Sequence, residues 1–227
     1  MRLSRVGALL LAGFVAAPAS AQDGRGASVA GGVSATNMES TTAASLSGAF
    51  EYRFTPTVGL EVEAMLVPTL KAPFPEEPVT IQSASTAVGS PGSSAVLGSV
   101  FLPSSLTNLG GRMVVFTNAV RLRLPTGSAR IEPFFVAGGG VAGVRRTADL
   151  VFSFPILILP GVPEAPLRTI SQHLTASEVD LALTIGGGVG IRVARHLSVD
   201  VDLRMLRLMG DEDRNVGRFG VAARYGF

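Results

Sequence analysis

Two histidines, His173 and His196, are the only imidazoles in a chain of 227 residues that contains no cysteine. A thiolate nucleophile and a thiolate metal cage are therefore excluded, and two histidines far apart in sequence do not make a zinc centre. Acyl transfer by a serine would need a base and an orienting acid within hydrogen-bond reach, and only His173, with Ser171 and Glu178 nearby, has those types around it. His173 falls in an expected long loop, where nothing holds three groups in register, and His196 falls in a short turn, so no catalytic residue is assigned. The pairs Glu61/Glu63 and Asp200/Asp202 each put two carboxylates on one strand face. Such pairs could attract a cation, but arginines are expected opposite them. The glycine runs at 138–140 and 186–188 precede no helix start and do not make a phosphate-cradling loop. They suit close packing or curvature within strands. No cofactor and no metal are expected.

The charges make more sense as pairs than as reagents, because they recur in steps of two. In residues 196–206, Leu197, Val199, Val201, Leu203 and Met205 share one face, and Ser198, Asp200, Asp202 and Arg204 share the other. Residues 179–193 repeat the pattern, joined to it by Ala194-Arg195-His196 as a short hairpin connection. A second hairpin joins residues 45–54 to 58–66 through Thr55-Pro56-Thr57, and a third joins 112–124 to 131–144. In that last strand the register is ambiguous, since Phe134 and Phe135 are adjacent. Residues 27–35 and the terminal stretch 218–227 complete eight strands. Long connections are expected at 68–106, with six prolines, and at 145–175. Short turns on one rim and long loops on the other describe an eight-stranded antiparallel up-and-down barrel of the outer-membrane kind.

The bulk properties fit that reading. Residues 1–21 have Arg2 and Arg5, an apolar run over 6–17 and the small-x-small site Ala19-Ser20-Ala21, the pattern of a secretory signal peptide. Residues 22–227 are expected to be one barrel domain. The chain has 19 basic and 17 acidic residues; without Arg2 and Arg5 the mature part carries 17 of each, which gives no reason to expect nucleic acid. At 47% hydrophobic and 16% charged, the chain is too apolar for a water-soluble domain, which carries about a quarter charged residues.

Alternation alone does not say which face is outside, because a soluble ligand-binding barrel also alternates. Here the polar face mixes isolated charges with Gly, Ala, Ser and Thr, which suits a narrow interior better than a soluble exterior. Glu51, Glu61, Glu63, Asp180, Asp200 and Asp202 are then expected to face inward with Arg53, Arg121, Arg123, Arg192, Arg204 and Arg224. Six acids against six arginines read as an ion-pair network filling the lumen, because buried charge is costly unless paired. The alternative is a narrow pore for small solutes.

With the signal peptide, the "IEPFFVAGGGVAG" strand, the "GGGVGIRVARHLSVDVDLR" hairpin and the terminal aromatic in view, the chain resembles the small eight-stranded outer-membrane barrels, the class of the outer membrane protein A transmembrane domain. The resemblance covers nearly all of the mature part. It implies residence in the outer membrane of a Gram-negative-type cell envelope, as a monomer, among lipid and lipopolysaccharide. It also implies that Phe219, Tyr225 and Phe227 form the signal read by the barrel-assembly machinery, although Ala222 stands where that signal usually has glycine. Some barrels of this kind modify lipids, and that is the enzymatic alternative. The resemblance further implies a structural role, or a surface role through the extracellular loops toward an unidentified ligand. Residues 150–163 are an apolar segment within an expected loop. They are expected either to pack where strands 5 and 6 run on past the membrane or to form an adhesive patch. Arg145 and Arg146 are expected at the outer rim, against lipopolysaccharide phosphates.

Overall fold

In the computed structural model, residues 26–38, 41–70, 104–128, 130–154, 168–211 and 213–227 are described. The expected signal peptide and most of the expected 68–106 loop lie outside them, as does 155–163 of the apolar segment. The described residues form eight strands: β1 (Gly26–Met38), β2 (Thr41–Arg53), β3 (Val58–Val67), β4 (Ser104–Arg123), β5 (Ile131–Phe154), β6 (Arg168–Arg192), β7 (Leu197–Met209) and β8 (Arg214–Gly226). Each pairs with its neighbour in sequence and β8 returns to β1, which closes the barrel. All the pairings are antiparallel. No helix among the described residues is long and apolar enough to cross a membrane.

Closure follows from where the last strand goes. Val221 lies opposite Val33 on one side and Val201 on the other, and the Phe227 N–H donates to Ala27 O at 3.0 Å. No backbone edge is left in the middle of the wall, which hydrocarbon requires. The wall then presents its apolar residues outward. Val33, Val179, Ile185, Leu203 and Phe219 are all more than half exposed, whereas Glu51, Glu61 and Arg121 are at most 2% exposed. A soluble barrel has the opposite arrangement. The aromatic girdle is thin and gathers at the turn end, where Tyr52 meets Phe54 edge-on with ring centroids 5.1 Å apart and Tyr225 lies 6.0 Å from Phe227.

The ambiguous register resolves through glycine. Phe134 faces inward at 2% exposure and Phe135 outward at 57%. Phe134 fits because Gly188 has no side chain: a Cβ there would lie 2.7 Å from the Phe134 ring tip and collide with Val201 O. Gly140 likewise lets β5 press onto the Phe116 carbonyl of β4.

Two expected loops are partly strand. β5 continues to Phe154 and β6 begins at Arg168, so most of 145–175 is a regular ladder from Arg145↔Ser177 to Phe154↔Arg168. Thr, Ser and charged residues there keep the period of two without the hydrophobic contrast by which a strand is read. β4 similarly starts at Ser104, inside the expected 68–106 loop, with a register shift between Thr107 and Gly110 where Asn108 takes a positive φ of 52°.

Candidate functional site

The inward face of the barrel is layered. Nearest the short turns, five arginines and five acids interlock. Arg224, on β8, reaches Glu51 at 2.8 Å, Glu61 at 2.7 Å and Asp200 at 2.7 Å, and also donates to Ser28 Oγ at 3.1 Å. Arg121, on β4, bonds Glu61 at 3.0 Å and Asp200 at 2.8 Å, and its guanidinium lies 3.5 Å from the Phe134 ring centroid. Such stacking over an aromatic face is a favourable site for a cation. Arg204 holds Glu61, Glu63 and Asp202 at 2.7–3.0 Å, and Arg218 holds Glu63 at 2.7 Å and Asp202 at 3.0 Å. Arg123 pairs with Glu51 within this lattice and, at the turn-end mouth, with a sixth carboxylate outside it, Glu132.

The ladder explains why these charges must interlock. Glu51 is directly opposite Glu61 on β2 and β3, and Arg204 is directly opposite Arg218 on β7 and β8. Like charges facing across a ladder repel, so each wall is stable only when the opposite wall supplies the other sign. The carboxylate pairs of β3 and β7 are thus occupied by guanidinium groups, and among the described residues no cluster of three His, Asp or Glu is arranged for a metal.

Above this network the lumen turns apolar. Met38, Met65, Val67, Met113, Val115, Leu206, Leu208 and Val216 pack into one cluster, each at most 4% exposed. Past it lies a second charged group, in which Arg214 meets Glu178 at 3.0 Å and Asp180 at 3.8 Å, and Arg146 approaches Glu178 at 3.9 Å.

Of the twelve residues expected in one network, the structure brings together Glu51, Glu61, Glu63, Arg121, Arg123, Asp200, Asp202, Arg204 and Arg224. It places the other three elsewhere. Asp180 belongs to the upper group. Arg192 is half-exposed at the rim, 3.8 Å from Glu132. Arg53 lines the turn-end mouth with no carboxylate among the described residues within ion-pair distance. Arg218 was the missed member, although two-residue steps back from Arg224 lead to it. Arg146 corrects the expected outer-rim pair: Arg145 faces out, but Arg146 is 3% exposed and faces the lumen, because the inward parity that starts at Phe134 runs through Val144 to Arg146.

The remaining candidates are peripheral. His173 is exposed on the β5–β6 extension, its Nδ1 2.7 Å from Asp149 Oδ1, while Asn108 donates to Asp149 Oδ2 at 2.8 Å. These contacts hold the Asp149 carboxyl below the ordinary carboxylate range, the Asn108 hydrogen bond acting most strongly and the His173 bond next. Ser171 makes no hydrogen bond to His173, whose Nδ1 is taken by Asp149, so serine and base are not brought together. His196 sits in its turn with Nδ1 3.1 Å from Gly226 O. Phe219, Tyr225 and Phe227 all point outward from β8 and its end.

No family model matches the chain, and no curated protein does. Solved structures resemble it in fold. The attachment invasion locus protein Ail of Yersinia pestis is 12% identical, with 89% of this chain and 99% of that one covered and a TM-score of 0.45. Neisserial surface protein A is 11% identical over 90% and 97%, with a TM-score of 0.47. A major outer membrane protein of Thermus thermophilus is 11% identical over 88% and 99%, with a TM-score of 0.44. These are likenesses of fold alone. On its own geometry, with an apolar outer wall, a charge-paired interior and no open edge, the chain is an eight-stranded transmembrane β-barrel of the outer-membrane type.

Proposed function

We propose that this protein is an integral outer-membrane barrel with a closed lumen, acting as a structural element of the envelope and through the surface of its long-stranded end. The observation that carries the reading is the double seal. A neutral lattice of five arginines and five acids fills the turn-side half, and the Met38–Met65–Met113 cluster fills the next layer. An ion crossing would have to enter a methionine- and valine-lined layer without its hydration, which is costly for an unpaired charge.

The orientation that fits places the short turns in the periplasm and the β5–β6 extension outside. In that orientation Arg112 and Arg145 face outward just beyond the apolar belt. They are cross-strand partners, with no carboxylate among the described residues within ion-pair distance of either. Two guanidiniums directly opposed repel unless an anion lies between them, and lipopolysaccharide phosphate supplies one. The fold needs no catalytic group for any of this, and the protein acts without turnover.

Planar-bilayer recording on the purified mature barrel tests the closed lumen. The expected trace shows no discrete conductance steps above the lipid baseline. A stable open current would overturn the reading in favour of a narrow pore.

A further inference from the structure

Below the lattice, the turn end opens into a cup of about 510 Å³ whose wall includes Arg53, Arg123, Arg130, Arg192, Arg195 and Glu132. That volume is within the range of small-molecule sites. Its floor is solid, made by Asp200 and the two arginines that donate to it, Arg121 at 2.8 Å and Arg224 at 2.7 Å. The charge on its wall is one-sided. Glu132 is engaged by Arg123 and lies 3.8 Å from Arg192, whereas among the described residues no carboxylate lies within ion-pair distance of Arg53, Arg130 or Arg195. With Arg123 counted in the neutral five-against-five lattice beneath, the mouth keeps Arg53, Arg130, Arg192 and Arg195 against Glu132, a surplus of positive charge.

Two donors on the wall are also unsatisfied. Arg123 is 5% exposed, and its Nη1 is buried with no hydrogen-bond acceptor among the described residues; Arg53 Nε is buried in the same condition. Arg53 is held across the mouth, its Nη2 3.7 Å from where a side chain on Gly226 would begin. A buried donor without an acceptor carries a desolvation cost, and both arginines line the cup.

We propose that this turn-end cup binds a small phosphate-bearing anion, with Arg53, Arg123 and Arg195 supplying charge and donors. A phosphate group fits better than a carboxylate, because several guanidinium forks converge on one volume and a phosphoryl group offers more than one negative charge and three acceptor oxygens to fill them. The phosphate can be carried by a soluble ester or by the headgroup of a phospholipid in the adjoining leaflet.

The test uses the mature barrel in nanodiscs of phosphatidylcholine, titrated with inorganic pyrophosphate by calorimetry. Saturable one-to-one binding that weakens with added salt is expected. Arg53→Gln and Arg195→Gln, neither of which belongs to the lattice, should each weaken it by about tenfold, and Arg112→Gln at the far end should leave it unchanged. Heat-modifiable gel mobility verifies that each variant is folded. Glycerol 3-phosphate binding with full affinity in phosphatidylglycerol nanodiscs would assign a soluble ligand; loss of pyrophosphate affinity in those discs would assign the lipid headgroup. Either supports the cup. Absence of saturable binding, equal affinity in Arg53→Gln and Arg195→Gln, or binding of a glutamate-rich peptide in place of pyrophosphate would overturn it. A conducting barrel would not, since the closed lumen and the cup are separate readings.

Discussion

At the scale of single residues, the interior behaves as a lattice in which a charge is secure only while its neighbours stay. Arg204 contacts three carboxylates, Glu61, Glu63 and Asp202, so its removal strands more negative charge than that of any peripheral group. Arg204→Met should destabilise the folded barrel by about 3–5 kcal/mol, read as a lowered urea midpoint in lipid vesicles. Arg192→Met, half-exposed at the rim, should change it by less than about 1 kcal/mol. Equal effects would mean that the lattice contributes no more than a surface pair. At the other end, Asp149 holds Asn108 and His173 in a clasp on the β5–β6 extension. Its carboxyl is depressed below the ordinary range, so the clasp is intact at neutral pH and throughout that range and opens only as pH falls below it. The Asn108 side-chain amide resonance of the barrel in micelles should therefore stay put until the solution is more acidic than a free aspartate requires, and Asp149→Asn should abolish the transition. His173→Ala should leave the lipid A mass profile of expressing cells unchanged, since among the described residues no serine hydroxyl bonds that ring; a profile that differed between the wild type and this variant would reinstate the enzymatic alternative.

Among the elements, β8 closes the wall against β1, and we propose from the resemblance that it also presents the aromatic end to the assembly machinery. Phe227 faces outward and is not part of the interior, so Phe227→Ala should reduce the assembled, heat-modifiable fraction in the outer membrane while leaving the urea midpoint of barrel refolded in vitro within about 1 kcal/mol of the parent. A parallel drop in both would make the residue a stability element. β5 shows the complementary constraint. Gly140 lies against the Phe116 carbonyl, so Gly140→Val should cost at least the 1–3 kcal/mol typical of overpacking, roughly, because backbone and not a flexible side chain must yield. The period of two was legible in every strand, yet the strand ends were not. Beyond the apolar belt both faces of β5 and β6 meet water or other chain, and the hydrophobic contrast that marks a strand fades while the ladder continues.

For the whole molecule, the proposed closed lumen rests on two layers of unlike chemistry, and the two should fail independently. Arg204→Met, though less stable, should still pass no current, because the layer of Met38, Met65, Met113 and Leu206 remains above it. Current through that variant alone would show that the ionic layer is the whole barrier.

The sequence by itself determined the wall. Alternating apolar groups through residues 179–206, short turns such as Thr55-Pro56-Thr57, and a last strand apolar to its end require a closed barrel, because a sheet edge has no partner in hydrocarbon. Tertiary structure alone decided how the interior was divided. Met65 and Val67 follow Glu61 and Glu63 on the same inward face of β3, so polarity ceases to report which way a side chain points once the lumen turns apolar. Adjacent Arg145 and Arg146 carry no local signal to tell them apart; their directions come from the parity imposed by Phe134. Partnerships were equally hidden, since Arg224 and Glu51 are 173 residues apart and meet only because closure brings β8 within reach of β2. The physical reason is common to all three: a strand's own pattern reports its two faces, but what stands opposite the inner face is set by the stagger of the entire barrel.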